Sequence, residues 1–513
     1  MIQGKRKKEN VKCMTFFYKI FIFQKFAKGL IFAFCLLTFT SLSYAQDQMP
    51  PPSAPRSLAM PKPIEKTLPN GLRVIVAQTK NVPIVTAQLL VKSGGEADPK
   101  NMAGLADFTA SLLTKGTKTR SATQIAEEIE FLGGFIGAGA GWDASNVSVR
   151  VTADKIDKAL AVLSDVVMNP TFQQEEIDRY REQLLDGLLV QMKQPGTIAT
   201  NVSNKLAFGA GSKYSHPLGG TPESVQRIKQ SDLVNYHQKY FLADEAVLVF
   251  TGDITSAQAF LLANKYFVKM PKSKPEGGFG SGRGAGMPVA GNGELKQIVI
   301  VDLPNAGQAA VQYVQPSIER SDENYHNADV LNSILGGGYS SRLNQEVRIK
   351  RGLSYGAGTS FGMRRDGGIF RMSTQTKNES AGEVAQLFVE ELNKIGKDNL
   401  TEAEITPRKS VLTGAFGRNV ATTDGLAATI GNLAVQGLPL SDINAYIQKI
   451  NSVSPNDVKT FAKNNLTADK GVMVIVGDSK IFMDDLKKRF PKTSFRIIAA
   501  DKLDLESDNM ERK

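Results

Sequence analysis

Two stretches decide the architecture, YFLADEAVLVFTGD at 240–253 and NNLTADKGVMVIVGD at 464–478. Each runs from the end of a helix, through a short Ala-Asp turn, into an unbroken apolar run that closes on Gly-Asp. A run of five or six apolar residues with no polar alternation is the mark of a strand buried on both faces. Meeting it twice, in the same setting, indicates an internal duplication.

Working outward, the elements before each copy fall in the same order. The first half opens with TLPNGLRVIVAQT and IVTAQLLVKSG, two strands punctuated by an Asn-Gly turn. A helix at 103–115 follows, then TRSATQIAEEIEFLG, the alternating NVSVRVTAD, DKALAVLSDVVM, and the long helix EEIDRYREQLLDGLLVQM. The second half repeats this with QIVIVDLP, AAVQYVQPS, ENYHNADVLNSILGG, GGIFRMSTQT, AGEVAQLFVEELNKI and EAEITPRKSVLTGAFG. Between them lies 271–294, dense in Gly, Pro and Ser, a linker by composition. The expectation is an α+β protein of two homologous domains, 65–270 and 295–495. Each is a mixed sheet with helices packed mainly on one face, followed by a polar tail at 496–513.

The 513 residues carry a net charge of +11, which invites a nucleic-acid reading. Residues 1–45 hold eight Lys/Arg and one Glu, leaving a body with 54 basic and 50 acidic side chains. A near-balanced body offers no phosphate-tracking surface, so no nucleic-acid partner is expected. The same leader has a basic start, the apolar run GLIFAFCLLTFT, and small residues at Ser43 and Ala45. That is the pattern of a signal peptide cleaved near Ala45, followed by a Pro-rich tether at 46–64. A periplasmic or secreted location is expected, with membrane association only if the leader is retained. Both cysteines, Cys13 and Cys35, lie in the leader, so the mature chain has no thiol for catalysis, disulfides or metal.

The helix GLADFTASLLTKGT at 104–117 places Asp107 and Ser111 at i and i+4, on one face, where a pair of metal ligands would stand. Ala110 lies between them. The three histidines, His216, His237 and His326, have no second His or Cys at ligand spacing and read as structural.

With NGLRVIV, NPTFQQEEIDRYREQLL, SHPLGGTPESVQRIKQSDLVNYHQKYF and GGGYSSRLNQEVRIKRGLSYG, this chain resembles the insulinase/pitrilysin family of zinc peptidases over roughly 65–495. It is closest in character to the short, processing-peptidase-like members. Active members carry H-x-x-E-H, two His on zinc and a Glu as general base, with a further Glu ligand on the long helix. Carried over, the His positions are Asp107 and Ser111, the base position is Ala110, and the further ligand position is Gly187: a vacated site. The resemblance also implies an Arg and a Tyr seven residues apart beside the scissile peptide, matched by Arg348 and Tyr355, which would donate hydrogen bonds to a developing oxyanion. It implies an exposed edge strand on which a substrate peptide adds, here Phe135, Ile136, Gly137 and Ala138. The family's usual Asn in that strand is Gly137.

Leader and resemblance together imply an exported subunit with no cofactor of its own, inactive alone, completing a zinc-bearing H-x-x-E-H partner chain that hydrolyses peptides or unfolded segments. A non-enzymatic peptide-binding or scaffold protein of the same fold is the alternative. A serine hydrolase built on GLSYG around Ser354 is disfavoured, because every His precedes it.

Overall fold

The computed structural model describes residues 60–273 and 294–512; the leader, most of the tether and most of the linker lie outside the described residues. The strands are β1 Ile64–Thr67, β2 Arg73–Gln78, β3 Ile84–Val91, β4 Phe135–Ala140, β5 Ser145–Thr152 and β6 Ala246–Gly252 in the first half. In the second they are β7 Gln297–Asp302, β8 Ala309–Ser317, β9 Ala357–Arg364, β10 Gly367–Thr376, β11 Val472–Gly477 and β12 Ser494–Ala499. Four helices matter below: α1 Leu105–Leu112, α2 Gln174–Gln191, α3 Pro195–Phe208 and α4 Thr423–Val435.

The strands form two six-stranded mixed sheets, ordered β1-β2-β6-β3-β5-β4 and β12-β7-β11-β8-β10-β9. The duplicated apolar runs are β6 and β11, central in each sheet and flanked by one parallel and one antiparallel neighbour. The glycine closing each run is dictated by packing. A Cβ on Gly252 would sit 2.0 Å from the Ile84 carbonyl oxygen, and one on Gly477 2.9 Å from the Ala309 Cβ.

Each sheet has a thick and a thin side. Val85, Ala87 and Leu89 of β3 face the helices of their own half, joining Leu105, Phe108, Leu160 and Leu163 in one core. The opposite face of that sheet presents Ile75, Ala77, Leu90, Val247 and Val249, and these are covered by Leu426, Ile430 and Leu433 of α4. That helix belongs to the second half of the chain. The exchange is reciprocal: Val299, Val301, Ala310, Val474 and Val476 of the second sheet pack against Ile198, Ala199 and Val202 of α3, from the first half. Polar ties fix both docks. Thr86 Oγ1 donates to Asp424 Oδ1 at 2.6 Å and Thr251 Oγ1 to the Thr423 carbonyl at 2.8 Å. Gln312 Nε2 donates to Thr200 Oγ1 at 3.0 Å. Helices thus pack mainly on one face, with a single helix from the other half on the second.

The expected polar tail at 496–513 is corrected. β12 crosses the boundary placed at 495 and pairs with β7 in parallel, from Ser494 opposite Gln297 to Ala499 opposite Asp302. It fills the edge position that β1, antiparallel to β2, fills in the first sheet. Beyond it, Leu503 and Met510 are buried beside α3. Lys205 Nζ donates to the Leu505 carbonyl at 2.8 Å, and Thr221 Oγ1 to Glu506 at 2.7 Å. The charged composition of this segment disguised a strand whose partners are remote in sequence. The tether likewise ends one residue early, at the start of β1.

Candidate functional site: a buried helix beside an open sheet edge

α1 is started by Asp98, whose carboxylate accepts from the backbone N–H groups of Gly104 and Ala106, both at 2.8 Å. This capping from outside the helix satisfies two of its orphan donors. Leu105, Phe108 and Leu112 turn into the core, which sets the rotation of the helix and sends Asp107 toward β4. Asp107 Oδ1 accepts from the Ala140 backbone N–H at 3.1 Å. Burial raises its carboxyl above the ordinary range, and the Ala140 hydrogen bond partly opposes that. Ala110 is fully buried. Tyr180 of α2 stands edge-on to Phe108, with ring centres 4.9 Å apart. At Gly187, two turns further along α2, an added Cβ would meet nothing within 4 Å.

These residues do not fit zinc. The one carboxylate is engaged with a backbone amide, a serine hydroxyl is a poor zinc ligand, and the other two positions carry no ligating atom. Among the described residues no group of three or more His, Cys, Asp or Glu stands where it would hold a metal ion. Tyr180, packed edge-on against Phe108, carries no motif of its own in the sequence. Only its place on α2, seven residues before Gly187, marks it.

β4 is the edge strand of its sheet, paired only with β5. Ile136 and Ala138 turn their side chains to the core, and Phe135 is exposed. The Phe135 ring lies over Gly137, where a Cβ would come within 3.0 Å of it. Gly137 is thus the seat of an aromatic ring.

Arg348 and Tyr355 lie in the second half, in the turn that ends at β9. Residues Gln345–Ile349 form a π-helical turn whose Val347 is buried and whose Arg348 is half-exposed. The neighbouring cations Lys350 and Arg351 both pair with Glu346. Arg348 has no carboxylate partner among the described residues; its guanidinium lies 5.0 Å from the Tyr339 ring centre. Tyr355 is 90% exposed. Neither makes a hydrogen bond or ion pair with α1 or β4 among the described residues, so within this chain the two groups are not brought together. Ser354 accepts from the Gly356 N–H at 3.1 Å and precedes a strand, not a helix, so the nucleophile-elbow geometry is absent there.

The histidines have structural settings. His216 Nε2 lies 2.9 Å from the Gly95 carbonyl and His237 Nε2 2.7 Å from that of Val167. His326 is held by rings, 5.0 Å from Tyr325 and 5.8 Å from Tyr446. Burial lowers the pKa of all three, His326 to about 4.

The two halves are joined where the β4–β5 turn meets the β9–β10 turn. Asp143, buried, accepts from the Tyr214 hydroxyl at 2.5 Å, the Arg365 N–H at 3.0 Å and Gln436 Nε2 at 3.0 Å. The Arg364 guanidinium lies 4.0 Å from the Trp142 ring centre, 4.3 Å from that of Phe208 and 4.7 Å from that of Tyr214. Arg365 pairs at 2.7 Å with Glu96, whose side chain is only 6% exposed. The edges β4 and β9 are therefore held in one fixed relation.

Two family models match the chain, Insulinase (Peptidase family M16) at residues 73–214 and Peptidase M16 inactive domain at residues 227–412. The chain belongs to the insulinase (M16) peptidase family. It is similar to an uncharacterized zinc protease of Streptomyces coelicolor, 26% identical over 416 residues, which span 80% of this chain and 88% of that protein. It is 23% identical over 413 residues to an uncharacterized zinc protease of Bacillus subtilis, covering 80% and 97%. Among solved structures it is similar to the peptidase M16 inactive domain from Pseudomonas fluorescens, with TM-score 0.75, 26% identity and coverage of 81% and 98%. A protease from Helicobacter pylori shares the fold at TM-score 0.74 and 19% identity, covering 82% and 100%.

Proposed function

We propose that this chain is the non-metal-binding subunit of a two-chain M16 peptidase, exported by its leader, and that it supplies the chamber wall and the pair Arg348 and Tyr355 to a zinc-bearing homologous partner. The observation that carries the reading is the division of parts. The α1 site has lost the base and every ligand suited to zinc, while an exposed phenol and an unpaired guanidinium stand on a turn anchored by buried Val347. A phenol O–H and a guanidinium suit the developing oxyanion of peptide hydrolysis. Zinc, bound by the partner's H-x-x-E-H, would supply the activated water. The substrates are peptides or unfolded segments able to lie along a sheet edge.

The test mixes the mature chain with a zinc-competent homologue from the same genome on quenched fluorescent peptides. Hydrolysis is expected only in the mixture, and Tyr355→Phe lowers kcat by about 10²–10³, the usual cost of one oxyanion donor. Turnover by the chain alone would sink the proposal. A peptide-binding scaffold is the second reading, favoured by the open edge of β4. Stable association with the homologue but no hydrolysis under any mixture would select it.

A further inference from the structure

The hydrogen bond between Asp107 and Ala140 has a consequence for the edge beside it. In the β4–β5 ladder Ala140 stands opposite Ser145 and Ile136 opposite Val149, and the Gly141 N–H donates inward to the Ala144 carbonyl at 2.8 Å. Antiparallel strands alternate, so the inward groups belong to Gly141, Gly139, Gly137 and Phe135, and the N–H groups of Ile136, Ala138 and Ala140 point to the open edge. Of those three donors, Ala140 is already taken, by a side chain from α1. A strand arriving along β4 would offer a carbonyl where the Asp107 carboxylate now sits.

We propose that Asp107 caps the last rung of the β4 edge, so that strand addition is confined to Ile136 and Ala138 and a bound peptide must stop or turn away at α1. The inference rests on the reading of β4 as a peptide-docking edge. It gives the former ligand position a new task, in which a carboxylate stands in for a peptide carbonyl and shortens an otherwise adhesive edge. Aspartate suits this task, since an ionised carboxylate only accepts and its short side chain reaches a backbone donor directly. Asp107 is here a positioning residue, not a catalytic one.

Residue-resolved amide hydrogen exchange on the full mature chain tests it, without and with a short blocked peptide of alternating threonine and valine, flanked by lysines for solubility. In the wild type without peptide, Ala140 is expected to exchange slowly while Ile136 and Ala138 exchange fast; peptide slows only the latter two. In Asp107→Ala, Ala140 should exchange about tenfold faster or more without peptide, then slow when peptide is added. Asp107→Asn keeps an oxygen acceptor and should leave Ala140 slow, which separates loss of the cap from loss of folding. Ala140 remaining slow in Asp107→Ala would overturn the cap. A peptide that slows none of the three amides in either chain would overturn the docking edge instead, and with it the proposed confinement.

Discussion

His237 shows how a single side chain is read one way in the sequence and acquires its physics from the fold. It lies in a helix, faces the Val167 carbonyl at 2.7 Å, and is flanked by the rings of Phe172 and Phe241. Burial lowers its pKa below the ordinary value of about 6.5. A lowered folded pKa means the unfolded chain takes up the proton first, so this contribution to stability is full above about pH 6.5 and is lost as pH falls below it. His237→Phe should therefore flatten the decline of urea midpoints between pH 7 and pH 5, by at most about 1.4 kcal/mol per pH unit for one proton. An unchanged slope would show that the imidazole titrates normally. The same limit applied to the candidate site. The residue types at Asp107, Ala110, Ser111 and Gly187 are legible in the sequence. The engagement of Asp107 by the Ala140 N–H is not, because that partner arrives from another element.

At the scale of elements, the strands with strong apolar runs, β2, β3, β6, β7, β8 and β11, were all legible, as were the helices with a clear apolar stripe. The misses share a cause. α3 and α4 were not foreseen, because a helix covering a sheet from the other half needs only a few apolar contacts, such as Ile198, Ala199 and Val202. Local signals were present but weak: Pro195 at the first turn of α3, and Thr422 accepting from the Gly425 N–H at the start of α4. β12 was hidden among charged residues and is a strand only because β7 offers it an edge. Removal of residues 494–513 is therefore expected to cost several kcal/mol, since Ile498, Leu503 and Met510 each contribute about 1.5–3 kcal/mol by burial. Urea denaturation reads this directly; a truncated chain of unchanged stability would restore the view of a dispensable tail.

For the whole molecule, the exchange of α3 and α4 makes each half dependent on the other. Residues 60–273 expressed alone would leave Ile75, Leu90, Val247 and Val249 without α4, a contiguous apolar face prone to aggregation. That fragment should be insoluble or lack fixed tertiary packing, judged by dispersion of its NMR spectrum, and co-expression with 294–512 should recover a soluble complex. A well-folded isolated fragment would show that α4 is an accessory. The duplication and the two mixed sheets were determined by the sequence itself, since each depends on residue type and local periodicity. The tertiary structure alone decided that the halves exchange helices, that the last strand returns to β7, and that Asp107 meets the Ala140 N–H of β4. Those features depend on which apolar faces and unpaired backbone groups meet across the fold, and no local pattern records a meeting between distant segments.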